Sequence, residues 1–318
     1  MRLNVQEKKK LGRGIEEISH HFISSETKGK IQESKKSRSI SICSYGSRMQ
    51  KDFLISNLSS EITAKKKKVV IFNQDIQQQE ISLFSKSLKH ELSGKNGSRF
   101  YRVTGLPDGF GDILIVPSDH NNHPDANKDE NITALDYIEE QWEGVDIIFV
   151  NNSSELTDAG HLRACRENII ITSPDEKEMI KNYSIIKKIS EINNSFSIGI
   201  IINKVNKVSE AAKTFNKIAE ITNKYLNKQL LSFGFFYDDL LITRSILEGS
   251  PLVLSYPDTK LRKCLHGISE IIINEGNNEQ RFFNKTKNPS FRTGIVENHL
   301  SLEETLEFGS SKIEEKQF

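Results

Sequence analysis

The residues with chemical potential sit just after short apolar runs. The run at 39–43 is followed by Ser44-Tyr45-Gly46-Ser47-Arg48-Met49-Gln50-Lys51-Asp52-Phe53, a turn that sets a lysine beside a carboxylate. Parallel α/β sheets bind ligands outside the carboxyl ends of their strands, which makes this turn the first candidate site. A loop that cradles phosphate aims successive backbone N–H groups at one point, and glycines permit the backbone angles this needs. Only Gly46 is available here. Further polar residues stand in equivalent places. Asn73 and Asp75 follow the run at 69–72, Asn151 follows 145–150, Asn203 follows 198–202, and Asp239 follows 231–236.

The elements that must position them can be read from the apolar pattern. Continuous apolar runs at 39–43, 69–72, 113–116, 145–150, 169–172, 198–202 and 231–236 read as buried strands. Helical periodicity is expected over 51–64, with Phe53, Leu54, Leu58 and Ile62 on one face, and again over 132–142, 176–192, 210–226 and 259–273. Alternation of this kind predicts a doubly wound, mostly parallel α/β sheet of about seven strands over 39–275. A polar arm at 1–38 precedes this domain and a polar tail at 276–318 follows it. No internal repeat is evident.

Composition narrows the function classes. Lys+Arg is 44 against Asp+Glu 43, a formal net charge of +1, so bulk charge makes no case for nucleic acid. Three cysteines, Cys43, Cys165 and Cys264, lie far apart with no CxxC, which fits a reducing cytosol and argues against a disulfide framework or zinc site. His20-His21 and His120-x-x-His123 lack a supporting cysteine cluster and read as exposed loop residues. The first ten residues have no apolar core, so no signal peptide is expected, and no apolar run is long enough to span a membrane.

The order and spacing of these segments resemble the MinD/ParA family of P-loop ATPases, and within it the FlhG type. The family's first loop reads S-G-K-G-G-V-G-K-[ST]-T-x-x-x-N-L. Here Lys51, Asn57 and Leu58 match its Lys, Asn and Leu. Lys68-Val-Val-Ile-Phe-Asn-Gln-Asp75 is similar to K-V-L-L-I-D-A-D, and Val145-Asp-Ile-Ile-Phe-Val-Asn151 to Y-D-x-I-L-I-D. Thr172-Ser-Pro174, Ile201-Ile-Asn203-Lys-Val205 and Gly234-Phe-Phe-Tyr-Asp-Asp239 with Ser245, Gly249 and Pro251 follow the later motifs. The resemblance covers about 200 residues.

It implies a P-loop NTPase fold and, at the same time, loss of the chemistry. Loop glycines become Tyr45, Ser47, Arg48 and Gln50, and the signature lysine that reaches across the family's dimer becomes Gly46. The magnesium-binding Ser/Thr becomes Asp52, the catalytic Asp of the second strand becomes Asn73, and the Walker B Asp becomes Asn151. Phosphoryl transfer rests on positioning and charge stabilisation, so no catalytic residue, metal or cofactor is expected. Remnants that could still meet ATP and magnesium are Lys51, Asp52, Asp75, Asn203 and Asp239. The structural alternative makes Lys51 a residue of the helix start, Asn203 a strand-end turn and Asp239 a helix cap.

What is left is binding. Lys8-Lys-Lys-Leu11-Gly-Arg13-Gly-Ile15 resembles the LGRGL-type start of ParB proteins, and Ile15, Ile18, Phe22 and Ile23 fall at helical spacing in an arm expected to be otherwise disordered. Such a segment suits docking on a partner, while the alternative is a basic solvated arm. The resemblance implies a cytoplasmic, ATP-independent regulator of flagellar or polar placement. Its partner would be a FlhF-like GTPase, a flagellar component or an active MinD/ParA homologue, recruiting it to a pole or to the membrane. Two alternatives stand beside it: a nucleotide-binding or active ATPase with a divergent loop, and a ParA-like chromosome-partitioning adaptor. The four lysines 65–68 read as a solvated turn. The tail carries Leu300, Leu302, Leu306 and Phe308 among Glu303, Glu304 and Glu307, and acids on such a segment argue against contact with anionic lipid.

Overall fold

The computed structural model describes residues 37–46, 48–73, 84, 89–93, 99–117, 135, 138–139, 142–152, 162–163, 165 and 167–275. Ser47, Asp75, the arm residues Leu11, Arg13, Ile15, Ile18 and Phe22, all histidines singled out above, and the tail lie outside them.

The elements run β1 (Arg38–Cys43), α1 (Arg48–Thr63), β2 (Val69–Asn73), β3 (Lys89–Ser93), β4 (Arg99–Val103), β5 (Ile113–Pro117), β6 (Ile147–Asn151) and β7 (Glu167–Thr172). They continue with α2 (Glu176–Ile192), β8 (Ser197–Val205), α3 (Val208–Leu226), β9 (Leu231–Tyr237), α4 (Leu240–Glu248), α5 (Leu252–Ser255) and α6 (Lys260–Glu275). The nine strands among the described residues join one sheet in the order β3-β4-β5-β2-β6-β1-β7-β8-β9. The seven strands expected from apolar runs are parallel. The two additional ones, β3 and β4, form an antiparallel hairpin at the edge, with β4 also antiparallel to β5. Leu135, Ile138 and Glu139 fall in the expected range 132–142; Leu135 and Ile138 are buried.

The sheet is two-faced, as a strand period of two requires. Val69 and Ile71 of β2 join Phe53, Leu58 and Ile62 of α1 in one core cluster. Val70 and Phe72 pack on the other face with Leu114, Val116, Ile148 and Val150. Helix ends are set by specific residues: the Asp175 carboxylate accepts from Glu178 N at 2.8 Å to start α2, and Gly249, at φ 61°, closes α4.

Charge gathers at the amino end of the parallel strands. Arg38 opens β1 and donates to Glu167 at 2.9 and 2.5 Å, and Lys67 meets Asp146 at 2.9 Å. Glu61, buried near the end of α1, accepts from Arg262 Nε at 2.9 Å and faces His266 Nδ1 at 2.9 Å, clamping α1 to α6.

Candidate functional site

The carboxyl ends of β1, β2, β6 and β8 converge on the start of α1, and each contributes a polar side chain. The helix begins at Arg48, three residues before the position expected from the sequence. Arg48 and Gln50, which stand where the resembling loop has glycines, and Met49 between them are good helix formers, and they extend the helix toward the strand. Only residues 44–47 remain between β1 and α1. Two of this turn's N–H groups are satisfied internally: Tyr45 N donates to Asn182 Oδ1 at 2.9 Å and Gly46 N to Ser44 Oγ at 3.0 Å.

The side chains that follow are tied to one another. Lys51 is buried and its ammonium donates to the backbone oxygen of Asn152. The amide nitrogen of Asn151 donates to Asp52 Oδ1 at 2.9 Å and to Asn73 Oδ1 at 3.0 Å, which uses both of its hydrogens. Gln50 Oε1 accepts from Asn203 Nδ2 at 2.8 Å. Deeper in, Asn152 Nδ2 donates to Ser41 Oγ at 2.5 Å and lies 3.6 Å from Cys43 Sγ. Burial pushes the Cys43 thiol above its ordinary pKa, against the smaller lowering effects of Ser41, Lys51 and Asn152, so it stays protonated and inert.

A second group lies on the other side of the turn. Glu178, in the first turn of α2, is nine-tenths buried and accepts from Ser173 Oγ at 2.8 Å, with Lys204 Nζ at 3.7 Å. A side chain at Gly46 would place its Cβ 2.7 Å from Glu178 Oε1, so the carboxylate occupies the room a longer residue would need. Lys181 lies over the Tyr45 ring, 3.8 Å from its centroid.

The resemblance implies a magnesium–nucleotide group, and the residues present do not fit one. Of the three positions aligned with metal-side residues, only Asp52 carries charge, and an amide N–H, which a cation disfavours, points at it. The buried oxygens Asn151 Oδ1, Asn152 Oδ1, Asn203 Oδ1 and Glu178 Oε1 have no hydrogen-bond partner among the described residues. An anion brought against these oxygens would face their lone pairs, although Arg48 Nη2, at the start of α1, is a buried donor. No group of three or more His, Cys, Asp or Glu suited to a metal occurs among the described residues.

Of the sequence candidates, Lys51, Asp52, Gln50, Asn73, Asn151 and Asn203 come together, and Gly46 and Arg48 flank them. Asp239 does not join them in the hydrogen-bond network: it caps α4, accepting from Leu241 N at 2.9 Å. Asn203 lies inside β8, two residues before its end, rather than in a turn, with its side chain aimed at α1. Asn57 is a strut, donating to Phe53 O at 2.7 Å and accepting from Val253 N at 3.0 Å. Asn152, which the sequence places just after the strand-end Asn151 where the resembling family has its switch, joins the cluster. The sequence reading missed Asn182 and Glu178, which act through pairing across the fold.

No protein-family model matches the sequence, and no curated protein matches it. Solved structures do. The MinD chain of the MinC:MinD cell division complex of Aquifex aeolicus superposes with TM-score 0.57 at 12% identity, over 75% of this chain and 96% of that one. The septum site-determining protein MinD from Pyrococcus horikoshii, complexed with Mg-ADP, gives 0.57 at 16%, over 76% and 97%. A ParA family ATPase from Chlorobium tepidum gives 0.54 at 13%, over 74% and 98%. The chain thus has the fold of the MinD and ParA ATPases.

Proposed function

We propose that this chain is a FlhG-like member of the MinD/ParA family that works without ATP, by binding proteins that place flagella or another polar assembly. The observation behind this reading is the closed set of hydrogen bonds Asp52–Asn151–Asn73, Gln50–Asn203 and Lys51–Asn152, formed by the side chains that would otherwise meet phosphate and metal. With these donors committed to one another, binding of proteins is the mode of action this reading gives the chain. The partner is a FlhF-like GTPase, a flagellar component or an active MinD/ParA homologue; a MinD of this fold has been solved with a protein partner, MinC. No described helix is long and apolar enough to cross a membrane. In this reading recruitment to a pole or membrane goes through that partner.

Calorimetry with ATP or ADP and magnesium tests the core of the reading. No saturable heat is expected up to about 1 mM, a ceiling that corresponds to roughly 4 kcal/mol of binding. Tight binding would sink it. Deleting residues 1–30 is expected to abolish pull-down of the partner, and unchanged capture would remove the arm from the mechanism.

A second reading has one observation in its favour: Lys51 and Asp52 are adjacent at the helix start, within reach of the strand ends. It makes the chain an ATPase with a divergent loop, and it requires turnover that disappears in Lys51→Ala.

A further inference from the structure

At the amino end of the sheet, opposite the candidate site, lies a cavity of about 300 Å³, the lower end of the range for specific pockets. Its apolar wall is Val70, Leu114, Val145 and the half-buried Trp142, whose ring meets Phe100 edge-on at 4.5 Å. Its polar edge carries Lys68, Arg102, Asp112 and Glu143. Arg102 is paired with Asp112 at 2.5 Å, and Lys68 donates to the backbone oxygen of Glu143 at 3.0 Å. Lys68 closes the run of four lysines 65–68. Lys65 and Lys67 are paired with Glu270 and Asp146, whereas Lys66 and Lys68 are exposed and form no ion pair with a described carboxylate.

We infer that the acidic-apolar segment 300–308 of this same chain docks into this cavity, with its leucines and Phe308 against the Trp142 wall and Glu303, Glu304 and Glu307 against Lys66 and Lys68. Three features point to that occupant. The first is place. The described chain ends at Glu275, and Ile272 O accepts from Arg38 Nη1 at 2.5 Å. Arg38 N in turn donates to Asp146 O at 3.1 Å, and Asp146 N to Lys68 O at 3.0 Å, so the chain leaves the domain at the cavity's own end of the sheet. The second is reach. Residues 276–299 precede the segment, and a coil of that length spans roughly 25 Å. The third is complementarity. Leucines and a phenylalanine are interspersed with acids in the segment, and the cavity's apolar wall is edged by Lys68, with Lys66 exposed two residues before it. A tether of this length gives an effective concentration on the order of millimolar, enough for a weak contact to be mostly closed. The inference is independent of the nucleotide reading, since nothing at the carboxyl end enters it.

Trp142 is the single tryptophan of the chain, so its fluorescence reads the cavity directly. In the full chain, replacing the docking side chains together (Leu302→Ser, Leu306→Ser, Phe308→Ser) is expected to raise acrylamide quenching of Trp142 about two-fold. Lys66→Glu with Lys68→Glu is expected to do the same. Adding Glu303→Lys, Glu304→Lys and Glu307→Lys to that charge-reversed chain is expected to bring quenching back to the original value, which a merely misfolded variant would not do. Quenching unaltered by the tail substitutions overturns the inference. So does a charge swap that fails to restore protection, and so does protection that depends on protein concentration, which would make the occupant a second copy.

Discussion

The two ends of the sheet are built from different chemistry. The amino end is held by ions: Arg38–Glu167, Lys67–Asp146, Arg102–Asp112 and the Glu61–Arg262–His266 clamp. The carboxyl end, where this fold meets ligands, is held largely by neutral amides: Gln50, Asn73, Asn151, Asn152, Asn182 and Asn203. Ion pairs reach far and respond to salt, whereas amide pairs act only at contact and are indifferent to it. The comparison teaches that ion pairs hold the amino end, while at the carboxyl end amides outnumber the charged side chains Lys51, Asp52, Glu178 and Lys204.

Four measurements can break or sharpen this contrast. The largest effect is steric. Gly111 lies where a Cβ would come 1.9 Å from the backbone oxygen of Lys67, so Gly111→Ala is expected to cost about 3 kcal/mol in urea unfolding. Gly46→Ala meets only the end of the Glu178 side chain, which can swing aside, and is expected to cost about 1 kcal/mol or less. Equal costs would mean that the carboxyl end is as rigid as the amino end.

Next comes charge in the amide cluster. Asn151→Asp sets a carboxylate against Asp52 and removes the donor between them, a loss of about 2 kcal/mol at neutral pH that fades as the carboxylates protonate. Millimolar magnesium should restore nothing; a recovered melting temperature would mean that a metal site persists beneath the asparagines. Third is the salt test. Arg38→Ala is expected to cost about 1.5 kcal/mol, and roughly half of that should vanish in molar salt. Gln50→Ala is expected to cost about 1 kcal/mol at either ionic strength.

The smallest effect belongs to Lys228, at the amino end, which donates to Asn194 O at 2.5 Å and to Phe196 O. Burial lowers its pKa below the ordinary 10.5. Below the folded pKa both states hold the proton and the burial penalty is in full force. As pH rises toward 10.5 the folded state releases its proton first, so stability increases across that window. Lys228→Met should flatten the rise.

The fold was legible in the sequence where burial wrote it. The central strands are buried on both faces and read as unbroken apolar runs, such as Ile169-Ile170-Ile171. The hairpin was not legible, because Lys89-His-Glu-Leu-Ser93 is a polar edge strand whose pairing is set by its neighbour rather than by its composition. The start of α1 was placed late because its apolar face begins at Phe53, while Arg48–Gln50 join on propensity alone. At the site, the positions of Lys51, Asn73 and Asn151 could be read from the ends of their strands. Their partners could not, since Asp52–Asn151 and Gln50–Asn203 bridge 99 and 153 positions of chain.

The central place of β1 has a consequence for how the chain is made. Its neighbours, β6 and β7, begin at Ile147 and Glu167, more than a hundred residues later. At ordinary rates of translation that interval lasts on the order of ten seconds. Throughout it the apolar strand Arg38–Cys43 exists with neither of its sheet neighbours yet synthesised, so both of its hydrogen-bonding edges wait unpaired in the nascent chain.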